Sequence, residues 1–181
     1  MDESGDRPRD VVRVLGVGNV LMGDDALGPY VARMIEAQFE LPESVEVLDA
    51  GTPGQDLLSL IAGASAVIVV DAVLRSQPPG TIQRLSPAEV HALPGEPRLG
   101  PHQANLVDAL QTLELVGETP EAVIVGAVPA STATGVGLSP AVRAALPLVV
   151  EAVEAEVERL GHRLARRESP SEPDIWWEDG R

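Results

Sequence analysis

Two spacings of apolar residues alternate along this chain. Val11 to Asn19 (VVRVLGVGN) is an apolar run closing on glycines, the pattern of a strand buried on both faces and followed by a loop. From Leu27 the spacing lengthens. Leu27, Val31, Met34 and Ile35 stand at i, i+4, i+7 and i+8, on one face of a helix. Pro29 fits only a first turn, so this helix starts close to Asp24 and Asp25, where N-cap residues belong. VEVLDAG (Val45 to Gly51) predicts a second strand, and 53–62 a short helix carried by Leu57, Leu58 and Ile61. ASAVIVVDAV (Ala64 to Val73) is the most β-branched run and predicts a central strand. A turn over 76–80, a strand over 81–85 and a short helix opened by Ser86-Pro87 come next. A loop dense in Gly and Pro covers 93–101. His102 opens a helix carried by Leu106, Leu110 and Leu113, and EAVIVGAVP (Glu121 to Pro129) reads as another buried strand. The last helix runs from about Ser139 to Gly161, with Pro147 marking either a kink or its true start.

Strands and helices in alternation, with strands apolar throughout, predict a doubly wound α/β domain. Its twisted sheet is mostly parallel, with helices on both faces. This single domain is expected over 11–162, after a flexible polar stretch at 1–10. The tail over 163–181 has no periodicity and is expected to be disordered, apart from a local docking of Trp176 and Trp177.

Composition narrows the chemistry. The chain has 181 residues, 44% hydrophobic and 23% charged, which suits one globular domain. No apolar run approaches the length of a membrane span, and acids stand where a secretory signal has its apolar core. A cytoplasmic protein with no membrane partner is expected. There is no Cys, and all 13 basic residues are Arg. Disulfides, thiolate metal sites, cysteine nucleophiles, Schiff bases and the P-loop lysine are thereby excluded. A formal charge of -15 argues against a nucleic-acid partner. Only Phe39, Tyr30, Trp176 and Trp177 are aromatic, too few for a stacking platform. Chemistry falls to Asp, Glu, Ser, Thr, Arg and three histidines, His91, His102 and His162.

In a sheet of this kind ligands sit at the carboxyl ends of the strands. GVGN supplies two glycines of a dinucleotide fingerprint, but Leu21 stands where the third belongs. Asp24 and Asp25 are adjacent and divide two roles, one capping the helix and one pointing across the sheet edge. Asp71 emerges from the apolar centre of the sheet, and a buried acid must be paired, hydrogen-bonded or metal-bound. Asp49 has the same geometry on a neighbouring strand. Hydrogen bonds from loop amides are the other reading of both, and a cap or surface position the other reading of His102. Asp25, Asp71 and His102 together would offer hard oxygens and an imidazole, suited to zinc, nickel or manganese with coordination positions left open.

LGVGNVLMGDDALGP (Leu15 to Pro29), VLDAGTPG (Val47 to Gly54), VIVVDAV (Val67 to Val73), PPGTI, PHQANLVDAL (Pro101 to Leu110) and VGAVP (Val125 to Pro129) occur in this order. Together they resemble the hydrogenase maturation proteases over roughly Val11 to Leu160. GNVLMGDDALG and the PHQ segment are the specific parts. The resemblance implies the same doubly wound fold. It also implies an endopeptidase that removes the C-terminal extension of a nickel–iron hydrogenase large-subunit precursor once nickel is inserted. The family's metal-binding acids fall on Asp25 and Asp71 and its histidine on His102. The acid of its LDGGT-like segment falls on Asp49, implied to serve activity or recognition. The implied metal is nickel, that of the substrate, with zinc or cadmium able to occupy the site in vitro. A non-cleaving metal sensor or chaperone on the same fold is the alternative.

Overall fold

The computed structural model describes residues 10–93 and 101–178, without the side chains of residues 55 and 101–104. Its elements are β1 (Val12–Val17), α1 (Leu27–Gln38), β2 (Phe39–Glu40), β3 (Val45–Gly51), α2 (Leu57–Ile61), β4 (Ala66–Ala72) and β5 (Ile82–Leu85). They continue with α3 (Pro87–His91), α4 (Pro101–Val116), β6 (Glu121–Ala127), α5 (Pro140–Arg159) and β7 (Ala165–Arg166). All seven residues of β4 are buried, as a β-branched run covered on both sides requires. β4 is the middle of a five-stranded sheet ordered β3-β1-β4-β6-β5. The first four pair in parallel, and β5 pairs antiparallel with β6 at one edge. The fold is the expected doubly wound α/β domain with a mostly parallel sheet.

Alternation along the strands divides the core in two. Val12, Val14, Ile68, Val70, Val123 and Val125 pack with α1 and α5 on one face. Leu15, Val67, Val69 and Ile124 pack with α2, α3 and α4 on the other. Ser86 and Glu89 form a reciprocal capping box at the start of α3. α5 begins at Pro140 behind the cap Ser139 and runs on through Pro147, so Pro147 does not mark its start.

Two expectations are corrected. Neither Asp24 nor Asp25 caps α1. They lie in a 3-10 turn, Gly23–Ala26, that runs directly into the helix, and no side chain caps either start. Ala26 is already helical at φ -73° and ψ -2°, whereas a capping residue sits in extended backbone. The tail, expected to lack order apart from a local docking of Trp176 and Trp177, packs on the domain as far as Glu178. β7 pairs antiparallel with β2. Trp177 is only 6% exposed, with its ring edge-on to Tyr30 at 5.2 Å. The flexible start expected at 1–10 falls, to residue 9, outside the described residues, as does 94–100 of the expected loop. Among the described residues no helix is long and apolar enough to cross a membrane.

Candidate functional site

The parallel register brings three strand ends level. Gly16 of β1 faces Asp49 of β3 on one side and Val70 of β4 on the other. Asp49 and Asp71 therefore share the carboxyl edge of the sheet, on opposite faces. Asp49 alternates with Val45 and Val47, which face α1. Its Oδ2 accepts a hydrogen bond from Arg33 Nη2 at 3.3 Å, and its Oδ1 accepts from the Gly51 N–H at 3.2 Å. Arg33 also pairs with Glu36 at 3.2 Å. Asp71 alternates with Val67 and Val69, on the side of α2 and α4. It is 3% exposed, and its Oδ1 accepts the Ala72 N–H at 2.7 Å.

Asp25 reaches the same edge because glycines let the β1–α1 connection lie directly on the strand ends. A Cβ on Gly28 would stand 2.3–2.4 Å from backbone atoms of Val17 and Val70. A Cβ on Gly18 would stand 1.8 Å from the Asp25 carbonyl oxygen, and the φ of Gly18, +142°, is one that other residues rarely adopt. The 3-10 turn bearing Asp25 consequently packs against β4, the strand of Asp71. Asp25 is half-buried, and its Oδ2 accepts the Asn19 N–H at 2.8 Å.

His102 lies in the first turn of α4, on the Asp71 side of the sheet, and its side chain is outside the described residues. Among the described residues no group of three acidic or histidine side chains is arranged to hold a metal. Asp25 and Asp71, two of the three ligands expected from the sequence, share one edge, with Asp49 turned to the other face. Of the remaining histidines, His91 is exposed on α3. His162 Nδ1 shares a 2.9 Å hydrogen bond with Ser44 Oγ, just before β3 and so at the opposite edge of the sheet. A groove of about 480 Å³ opens between Gly54 and α4, lined by Leu58, Asn105, Asp108, Ala109 and Thr112.

Sequence reasoning missed one residue beside the site, Arg33, and read another, Asp24, only as half of a capping pair. Arg33, which holds Asp49, stands on α1 about 100° or more from each of Leu27, Val31, Met34 and Ile35, so nothing in that apolar stripe signals it. Asp24 is 1% exposed and accepts three backbone N–H groups, from Ala130, Ser131 and Ser139. Nothing local in the sequence marks those partners, more than a hundred residues away.

Known proteins share this arrangement of elements. The family model HycI, described as hydrogenase maturation protease, matches residues 29–156. The hydrogenase 2 maturation protease of Escherichia coli (strain K12) is 37% identical over 160 residues, which is 87% of this chain and 97% of that protein. The solved structure of the hydrogenase maturating endopeptidase HybD from E. coli matches with a TM-score of 0.78 at 34% identity. The match covers 87% of this chain and 98% of that one. The [NiFe] hydrogenase maturation protease HybD from Thermococcus kodakarensis matches with a TM-score of 0.66 at 25% identity, over 81% and 98% of the two chains. On family model, sequence and fold alike, the chain belongs to the hydrogenase maturation protease family.

Proposed function

We propose that this protein is an endopeptidase that removes the C-terminal extension of a nickel–iron hydrogenase large-subunit precursor already loaded with nickel. The observation that carries this reading is the acidic edge of the sheet in a member of a protease family. Asp71 is buried at the end of the central strand, and the turn bearing Asp25 packs against that same strand. Nickel enters as part of the substrate. Asp25 and Asp71 offer it anionic oxygens and His102 an imidazole, a donor set that a divalent transition ion accepts. Zinc or cadmium would fit the same donors in vitro. A Lewis-acidic ion beside a peptide bond polarises its carbonyl. This chain's own part is to bind that end of the precursor and orient the scissile bond. Asp49, steadied by Arg33, contributes to activity or recognition from the neighbouring strand. No Cys or Lys is present to act as a nucleophile.

The test is incubation with nickel-loaded precursor and measurement of the product's mass. A precursor shortened at its C-terminus, with nickel-free precursor left intact, is the expected result. A precursor that is bound and never shortened overturns the reading in favour of a non-cleaving metal sensor or chaperone.

A further inference from the structure

The β6–α5 connection, residues 128–139, folds back over the turn that carries Asp25. Its ties to that turn are specific. The Gly23 N–H donates to Gly135 O at 2.8 Å, the Gly135 N–H to Leu21 O at 2.9 Å, and the Asp24 N–H to Ser131 O at 3.0 Å. Met22 and Gly135 form an isolated parallel bridge. At the centre is the Asp24 side chain. Its Oδ2 accepts from the Ala130 N–H at 2.7 Å and the Ser131 N–H at 3.2 Å, and its Oδ1 accepts from the Ser139 N–H at 2.7 Å. Ser139 is the N-cap of α5, so one carboxylate joins the turn, the loop and the start of the last helix.

We propose that Asp24 is a positioning residue for the peptidase site. Its carboxylate locks the β6–α5 loop onto the Gly23–Ala26 turn and so fixes where the next residue, Asp25, presents its own carboxylate. This inference rests on the reading of Asp25 as a ligand of the substrate's metal. The argument is geometric. Adjacent residues in a 3-10 turn project about 120° apart, so if the side chain of Asp24 is fixed, the direction of Asp25 is fixed with it. A buried carboxylate that accepts three N–H groups is held far more rigidly than an exposed one. The two neighbouring aspartates thus do different work, Asp24 inside the fold and Asp25 at its edge.

The experiment uses Asp24→Asn in the full chain. The amide keeps a single acceptor oxygen and sets N–H groups against backbone N–H donors, so at least one of the three bonds is lost. Three quantities are read: amide exchange at Ala130, Ser131 and Ser139, affinity for Ni²⁺ alone by calorimetry, and kcat and KM on nickel-loaded precursor. The expected result is exchange at those amides faster by about tenfold or more, weaker Ni²⁺ binding, and kcat lower by about tenfold or more at a KM within about twofold. Faster exchange with parental kcat and Ni²⁺ affinity overturns the proposal and leaves Asp24 a structural tie only. Unchanged exchange overturns it as well. Asp25→Asn is run alongside. Parental processing by that variant overturns the metal-ligand reading and this inference together. Loss of processing there, with parental processing in Asp24→Asn, overturns this inference alone. If Asp24→Asn does not fold, Ser139→Pro takes its place. Proline suits the backbone at φ -59°, deletes one of the three donors and sets its ring against Oδ1; it also removes the hydroxyl that accepts the Val142 N–H, so Ser139→Ala is run beside it to isolate the loss of that cap.

Discussion

A carboxylate at the end of a buried strand is costly unless its oxygens are engaged. Asp71 is in that position, and its replacement by Asn separates charge from shape. The amide oxygen still accepts the Ala72 N–H, while the charge available to a divalent cation is gone. Asp71→Asn is therefore expected to abolish processing of nickel-loaded precursor while the melting temperature holds or rises, since a buried charge has been removed. A purely structural Asp71 gives the reverse, a lower melting temperature with processing retained in whatever stays folded. Thermal melts and cleavage measured on one preparation decide between them. Asp71, Asp49 and Asp25 were legible in the sequence because each follows an apolar run that ends at the sheet edge. Asp24 was legible only as half of an acidic pair. Its role depends on backbone N–H groups of Ala130, Ser131 and Ser139, and a backbone donor leaves no trace in residue type.

Among the elements, the contact of α1 with β1 and β4 decides where the site stands. Gly28 makes that contact, with Val17 and Val70 backbone atoms where a Cβ would go. Backbone cannot turn aside as the end of a long side chain does, so Gly28→Ala must lift the first turn of α1 off the strands. Overpacking of this kind is expected to cost about 2–3 kcal/mol and to lower the melting temperature by roughly 4–12 °C. A melting temperature within about 2 °C of the parent would mean that α1 has room the structure does not give it. The principal strands and helices were readable because their apolar periods are long enough to count. The pairing of β5 was not. TIQRL alternates as an edge strand does, yet nothing in it says that it runs antiparallel to β6. The backbone ladder with β6 makes that pairing, and Arg84 of β5 adds an ion pair to Glu156 of α5. Glu156 also accepts from Arg159 Nε at 2.8 Å. Burial pushes the Glu156 carboxyl up, but the hydrogen bonds from both arginines outweigh it and leave it below the usual carboxylate range.

At the scale of the whole molecule, the aperiodic tail closes one face of the domain. Its composition, rich in Arg, Glu, Ser and Pro, gave no period from which packing could be read beyond a local docking of Trp176 and Trp177, because a single docked side chain has no period. Trp177 sits edge-on to Tyr30 of α1, Glu178 accepts from the Tyr30 hydroxyl and from Arg143 of α5, and the Arg143 guanidinium lies 5.6 Å from the centre of the Tyr30 ring. Glu178 Oε1 also lies where it would meet a Cβ on Gly137, so the tail reaches the same β6–α5 loop that Asp24 holds from within. Burial, and next the hydrogen bond to the Glu178 carboxylate, push the Tyr30 phenol up to about 12 from an ordinary value of about 10. Tyr30 is the only tyrosine in the chain, so its tyrosinate absorbance is an unmixed signal. The sign of the linkage follows from the raised value. The neutral phenol is favoured in the folded state, so its contribution to stability is complete below about pH 10 and is lost as pH rises toward about 12. In the parent, the absorbance should stay flat through pH 10 and rise only as the domain opens or as pH nears 12. Glu178→Gln removes the carboxylate whose hydrogen bond and charge both raise the phenol, so Tyr30 should then titrate closer to 10 with the domain still folded by circular dichroism. A parental protein whose tyrosine ionises near 10 while folded would show that the tail does not cover Tyr30 in solution, and that this face of α1 and α5 is open to water.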